Sequence, residues 1–222
     1  ALAKDSPNQP EPKPLGQYVA GYFRMLAEAD AWWFILFYGV TFGGFVGLSS
    51  SLPIYFTTEL GLSPIYAGYS TAACVFAGSM VRPLGGALGD RIGGVKTLSV
   101  VYAVAAVLLV VIAFAPAAFP VMFPLFFAAM ATLGVGNGAV FQLVPQRFRH
   151  EIGVMTGLVG FGGGVGGFYL ASSLGLAKQF TGSQSLGFLV FAMLALVALG
   201  GLSSVKKRWR TTWGAAIQGV RI

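Results

Sequence analysis

Six long apolar segments dominate this chain of 222 residues and restrict the folds open to it. A helix needs about 20 mostly apolar residues to cross the hydrocarbon core of a bilayer. The segments that meet this length are Trp33–Tyr55, Pro64–Gly89, Lys96–Phe114, Val121–Phe141, Ile152–Leu174 and Leu186–Val205. None of them alternates apolar and polar residues as the strands of a membrane β-barrel do. The pattern predicts an all-α, polytopic membrane protein with six transmembrane helices.

The composition argues against several classes of function. Hydrophobic residues make up 56% of the chain and charged residues 9%, against roughly 25% charged residues in a soluble domain. Cys74 is the single cysteine, and one histidine and seven acidic residues leave little material for a hydrolytic or metal centre. We therefore expect no enzyme activity, no metal site and no cofactor. A nucleic-acid partner is not expected either, because the chain lacks a basic, aromatic face on a soluble fold.

The two ends of the chain differ in composition from the apolar segments. Residues 1–16 contain four prolines among polar residues, which predicts an extended or disordered linker. Residues 17–31 are predicted to form an amphipathic helix on the membrane surface, residues 32–205 a six-helix bundle, and residues 206–222 a basic cytoplasmic tail. This order is what the second half of a larger transporter would show after its central loop. A complete small protein with six spans is the alternative.

Basic residues fall almost entirely on one side of the predicted spans. The chain has 14 lysines and arginines, and apart from Arg82 and Lys178 they precede the first span, follow the second or fourth, or follow the last. Basic residues accumulate on the cytoplasmic side of inner membranes. Both termini are therefore predicted to lie in the cytoplasm, with the protein in the inner (plasma) membrane.

Arg82 is the one charged side chain inside the second predicted span. It precedes Asp90 by eight residues, or about 12 Å along a helix, while half the hydrocarbon core is about 15 Å thick. If Asp90 marks the cytoplasmic end, Arg82 lies near the middle of the membrane. A charge at this depth costs at least about 2.5 kcal/mol and usually faces a pathway or a partner. A small anion is the expected partner, and snorkelling to the inner interface is the alternative.

The loop after the second span carries a family motif. Residues 85–94 read GGALGDRIGG, which resembles the G-x-L-x-D-R-x-G signature of the major facilitator superfamily, with Gly86, Asp90, Arg91 and Gly93 at its defining positions. The resemblance implies one six-helix half of a twelve-helix transporter, whose substrate site lies between the halves. It also implies that these charges latch one conformation and release another. An ordinary polar turn is the alternative interpretation.

Glycine-rich stretches narrow the resemblance from the superfamily to one family within it. Residues 134–145 read GVGNGAVFQLVP, residues 156–168 read TGLVGFGGGVGGF, and residues 41–47 read TFGGFVG. Together with Trp32 and Trp33 they resemble the C-terminal six helices of the nitrate/nitrite porter family. The resemblance implies Arg82 as an anion-binding arginine. It further implies aromatic walls from Tyr38 and Phe42, and backbone close to the substrate at Gly157 and Gly160.

The remaining polar residues leave the mechanism open. Asn137 is predicted to be a buried amide that either bridges helices or joins the polar pathway. No acidic residue lies within the predicted spans, so no carboxylate proton carrier is expected in this half. Proton symport and nitrate/nitrite exchange both remain possible, as do another small anion as cargo and a non-transporting module that assembles with a partner transporter. The expected partners are a small inorganic anion, the lipid bilayer and an N-terminal six-helix half in the same or a separate chain.

Overall fold

The computed structural model describes residues 15–213, and these residues form helices joined by short connections, with no strand among them. The helices are α1 Leu15–Leu26, α2 Ala29–Thr58, α3 Pro64–Met80, α4 Arg82–Ile92, α5 Gly94–Phe114, α6 Phe119–Arg147, α7 Ile152–Thr181 and α8 Ser185–Thr211. Most of the predicted linker, residues 1–14, and the end of the predicted tail, residues 214–222, lie outside the described residues.

Within residues 15–213, six stretches are long and apolar enough to cross a membrane. Five are single helices, and α3 and α4 together make the sixth, Pro64–Ile92. The all-α, six-span prediction is confirmed. The spanning helices extend past several predicted ends, because hydropathy marks only the apolar centre of a helix that continues into polar turns.

Two boundaries differ from the expected domain limits. The segment 17–31 is divided, because α1 ends at Leu26 and α2 begins at Ala29, which places Asp30 in the first turn of a spanning helix. The expectation that no acidic residue lies in a span therefore fails at Asp30, and also at Asp90, because the second spanning stretch continues to Ile92. At the other end, α8 continues to Thr211, so the first basic residues of the predicted tail extend the last spanning helix.

The bundle is built on close helix crossings that glycine permits. α2 packs most extensively against α7, where a Cβ added to Gly166 would lie 2.1 Å from the carbonyl oxygen of Gly39. α6 packs against α3 in the same way, since a Cβ on Gly134 would lie 2.0 Å from the carbonyl oxygen of Gly78. Small residues at such crossings let backbones approach, which matters in lipid, where helices gain little from hydrophobic burial.

Ion pairs join helices at both ends of α2. At its start, Asp30 is 7% exposed and accepts hydrogen bonds from Arg147 Nε at 2.7 Å, from Arg208 and from Trp209 Nε1 at 2.8 Å. At its end, Glu59 pairs with Lys178 of α7. Asp30 thus ties the start of α2 to the ends of α6 and α8 and shows that these three helix ends lie together.

Candidate functional site

The second spanning segment is interrupted immediately before Arg82. α3 ends at Met80, Val81 separates the helices, and α4 starts at Arg82 with Pro83 as its second residue. Proline lacks a backbone N–H and is tolerated in the first turn of a helix, where that N–H would have no intrahelical partner. Pro83 is therefore consistent with the start of a new helix at this point, and Arg82 is the first residue of that helix.

The half-buried Arg82 side chain rests on aromatic rings of α2. Its guanidinium carbon lies 5.3 Å from the ring centre of Phe42 and 4.8 Å from that of Phe45. The faces of aromatic rings attract cations, so these rings stabilise the charge without neutralising it. The sequence pattern does not distinguish Phe45 from the other apolar residues of α2, although its position one turn after Phe42 places it on the same helix face.

Arg82 makes no hydrogen bond or ion pair with the described part of the chain. Its Nε is buried and has no hydrogen-bond partner. Of the described acidic side chains, Glu28, Asp30, Glu59 and Glu151 pair with other basic residues, and Asp90 accepts a hydrogen bond from Gln142. A guanidinium carries five N–H donors in a planar fork. The donors of Arg82 are therefore available to a ligand.

Tyr38 completes an aromatic stack beside the arginine. Its ring lies 4.9 Å from that of Phe42 with 5° between the planes, and 4.9 Å from that of Phe141 in an edge-to-face contact. The stack is supported from α7 by Gly163, where an added Cβ would lie 2.6 Å from Phe42 Cδ1 and 2.9 Å from Tyr38. The residues predicted as aromatic walls, Tyr38 and Phe42, thus stack on each other next to Arg82.

An open cavity of about 610 Å³ lies beside the guanidinium. Its lining includes Tyr38, Arg82, Asn137, Phe141 and Gln142. The motif residues Gly86 and Asp90 line its other end, where Gln142 Nε2 donates a hydrogen bond of 3.0 Å to Asp90 Oδ1. The predicted binding arginine and part of the predicted conformational motif therefore border one space.

Gly157 and Gly160 are placed differently from the other predicted site residues. Both are exposed on α7 and neither lines this cavity. A Cβ on Gly157 would lie 3.1 Å from the hydroxyl of Tyr22, while a Cβ on Gly160 would meet nothing within 4 Å. The glycine that contacts the aromatic stack is Gly163, which the sequence did not distinguish within the glycine run.

The other motif residues lie at the end of α4. Arg91 is exposed, and Gly93 ends the helix with a φ of 99°. This positive φ favours glycine, because a side chain there would crowd the backbone. Gly93 thereby sets the turn from α4 into α5.

Comparison with known proteins decides the family. The sequence profile of the Major Facilitator Superfamily matches residues 2–171. The chain belongs to the major facilitator superfamily. The helical fold agrees, since the solved structure of the superfamily's proton:xylose symporter XylE covers 88% of this chain with a TM-score of 0.59 at 20% identity, and the chain covers 47% of that structure.

The similar curated proteins of this superfamily carry nitrate and nitrite names. The nitrite extrusion protein of Bacillus subtilis is 34% identical over 167 residues, which are 75% of this chain and 42% of that protein. The probable nitrate transporter NarT of Staphylococcus haemolyticus is 30% identical over 199 residues, 86% of this chain and 50% of that protein. The probable nitrate/nitrite antiporter NarK1 of Thermus thermophilus is 32% identical over 191 residues, 78% of this chain and 43% of that protein.

These relatives confirm the resemblance to the nitrate/nitrite porter family within the major facilitator superfamily. The chain spans about half the length of the curated relatives it matches. Its six spanning helices and its family make it an integral membrane protein of a transporter family.

Proposed function

We propose that this chain is the C-terminal six-helix half of a twelve-helix transporter that moves nitrate, nitrite or both by alternating access. The names of its relatives support the cargo, and its length relative to them supports a complementary six-helix half in the same or a separate chain. In this arrangement the residues that line the cavity beside Arg82 form one wall of the substrate site. The N-terminal half supplies the opposite wall.

The unpaired guanidinium of Arg82 carries the proposal. A cation held in a spanning segment without an acidic partner attracts an anion strongly, since water and counter-ions screen it poorly there. Nitrate and nitrite are planar and place two oxygens where the guanidinium fork donates two parallel N–H bonds. Because the rings of Phe42 and Phe45 meet the guanidinium without accepting these bonds, the arginine keeps donors for the anion.

The aromatic stack favours a small, weakly hydrated anion. Ring edges carry partial positive charge and border an anion without a strong demand for water. The hydroxyl of Tyr38 adds a donor. In the proposal Tyr38 and Phe42 form the aromatic wall against which the anion lies.

Gly157 and Gly160 keep the role that the family resemblance implies. Their exposed backbone on α7 meets substrate or the complementary half once that half is in place. The motif of Gly86, Asp90, Arg91 and Gly93 acts at the end of α4 as the conformational latch, and the hydrogen bond from Gln142 to Asp90 supports this role. The exchange between outward-facing and inward-facing states would break and reform such contacts.

The proposed orientation places the Asp30 cluster in the cytoplasm, with both ends of the chain on that side of the inner (plasma) membrane. Arg24, Arg147 and Arg208 all lie at this end of the bundle, and their enrichment follows the positive-inside bias. Lys178 and Glu59 mark the opposite side.

Exchange of nitrate for nitrite fits the acidic residues of this half. In the described spanning helices, Asp30 is held by two arginines, and Asp90 is exposed at the end of α4. Neither is a free carboxylate beside the aromatic stack. Exchange needs no proton carrier, whereas symport would need a proton route through the complementary half, through the substrate site or elsewhere.

The proposal is tested in vesicles that contain residues 1–222 alone or joined to a complementary N-terminal half. We expect nitrate uptake only with both halves, driven by an opposing nitrite gradient. Uptake driven by a pH gradient instead would replace exchange by symport. No uptake with both halves would favour a non-transporting module, and stronger competition by acetate than by nitrite would favour another anion.

The site assignment is tested by Arg82→Lys in the same assembly. Lysine keeps the charge but loses the planar fork, so nitrate uptake should fall by about 10-fold or more. Arg149→Lys, in the exposed connection between α6 and α7, serves as the control and should transport like the wild type. Wild-type uptake by the Arg82 variant would remove the assigned site.

A further inference from the structure

Asn137 is a buried amide without a partner. It lies on α6, is 2% exposed, and neither its Nδ2 nor its Oδ1 has a hydrogen-bond partner among the described residues. A buried amide that makes no hydrogen bond is strongly unfavourable, particularly where no water competes. Both the donor and the acceptor of the Asn137 amide are therefore free to bind a ligand.

Two nearby polar side chains, Thr41 and Gln142, donate their hydrogen bonds to other groups. Thr41, whose methyl group packs against Gly136, donates its hydroxyl to the carbonyl of Phe37 at 3.2 Å. Gln142, on the same helix as Asn137, donates to Asp90 at 3.0 Å. Neither of these groups donates to Asn137 or accepts from it, so the amide does not serve as a bridge between helices.

The fold places Asn137 beside Arg82. The next residue, Gly138, approaches α4 so closely that an added Cβ would lie 2.0 Å from the carbonyl oxygen of Arg82. Asn137 and Arg82 line the same cavity, together with Tyr38 and Phe141. A buried polar side chain and an unpaired cation thus border one space from two adjacent helices.

We infer that Asn137 is a second anion contact, which donates an Nδ2–H bond to the substrate oxygen that the Arg82 fork leaves free. This inference rests on the proposed function and assigns a specificity residue to that site. Nitrate has one oxygen more than nitrite. With two oxygens on the guanidinium, nitrate still offers an acceptor to the amide, whereas nitrite offers only its nitrogen lone pair. Asn137 therefore favours nitrate over nitrite.

The experiment measures KM for nitrate and for nitrite in vesicles that contain both transporter halves. Asn137→Leu keeps a similar volume and removes the donor, so the KM for nitrate should rise about 10- to 100-fold, with a smaller rise for nitrite. Asn137→Ser keeps a donor on a shorter side chain and should retain part of the preference for nitrate. Asn137→Asp adds a negative charge that repels both anions and should raise both KM values.

Gln184→Leu is the matched control. Gln184 is 6% exposed, its Oε1 has no hydrogen-bond partner, and it caps α8 outside the cavity. Its replacement removes a buried amide without touching the site, so both KM values should stay at wild-type levels. Thermal unfolding of each variant in detergent identifies any that fold poorly, and the Asn137→Ser result then decides.

The outcomes separate this inference from the proposed function. An unchanged nitrate-to-nitrite KM ratio in Asn137→Leu and Asn137→Ser, with uptake still lost in Arg82→Lys, overturns the role of Asn137 alone. If the wild-type assembly moves neither anion, the proposed function falls and the inference falls with it. A selective loss of nitrate affinity supports both.

Discussion

Gly138 of α6 packs directly against the backbone of Arg82 in α4. A Cβ on Gly138 would lie 2.0 Å from the Arg82 carbonyl oxygen and 2.9 Å from the nitrogen of Gly86. The atoms it would meet belong to backbone, which cannot move aside as the end of a side chain can. The position of the arginine in the cavity therefore depends on the missing side chain at residue 138.

Gly138→Ala should displace α4 from α6 and move the guanidinium away from its aromatic rings. We expect a loss of nitrate binding together with a lower thermal midpoint, with a destabilisation of about 1–3 kcal/mol, as is typical of overpacked positions. Gly68→Ala is the control, because a Cβ there meets nothing within 4 Å. Calorimetric nitrate titration of both variants provides the measurement, and normal binding by Gly138→Ala would contradict the dependence.

The aromatic stack gives a second prediction on α7. Gly163→Ala would place a methyl group 2.6 Å from Phe42 Cδ1 and 2.9 Å from Tyr38. Ring atoms close to the backbone yield less readily than the end of a flexible chain, so the stack should shift and the KM for nitrate should rise. The adjacent Gly164→Ala meets nothing within 4 Å and should leave KM unchanged. Equal KM values in the two variants would show that the stack does not shape the site.

The contrast between Gly163 and Gly160 shows where sequence reasoning stops. Hydropathy was sufficient to predict six spans, since each helix must satisfy its own backbone in lipid. The facing of a glycine within its run depends on the rotation of α7 against α2. That rotation is set by close contacts between the two helices, such as the contact of Gly166 with Gly39. The sequence of one helix alone does not predict such contacts.

Arg82 and Asp30 illustrate the same limit from opposite sides. Arg82 is predictable from the sequence, because a single charge in an apolar segment is costly whichever way the helix is rotated. Local composition places Asp30 in a surface helix, because its partners Arg147 and Arg208 lie 117 and 178 residues away in the chain. Burial of that carboxylate is a property of three helix ends brought together, and local composition carries no sign of it.

Asp30 gives a stability prediction. Asp30→Asn removes the negative charge that Arg147 and Arg208 share and keeps a similar shape, so the protein should lose about 1–3 kcal/mol of stability. Glu151→Gln is the control: it breaks the pair of Glu151 with Arg24, whose side chain is 67% exposed, and such exposed pairs contribute about 0–1 kcal/mol. Thermal unfolding in detergent should therefore show a clearly lower midpoint for Asp30→Asn only. Equal midpoints would mean that the Asp30 cluster does not hold the helix ends together.

Gln142 of α6 binds the end of α4 that carries the family motif. Its amide donates to Asp90 at 3.0 Å, and its side chain fills the space over Gly89 and Gly94, where added Cβ atoms would lie 3.0 Å and 2.5 Å from it.

Gln142→Glu replaces the donor by a carboxylate that faces Asp90, and like charges at this separation repel. We expect faster hydrogen–deuterium exchange of the α4 amides, with α5 less affected because its packing on α8 is unchanged. Gln146→Glu adds the same charge one turn later on α6, in a separate cavity that Glu28 and Arg147 also line, and should leave exchange in α4 at the wild-type rate. Equal acceleration of exchange in α4 by both variants would mean that added charge on α6, and not the lost bond to Asp90, loosens the helix.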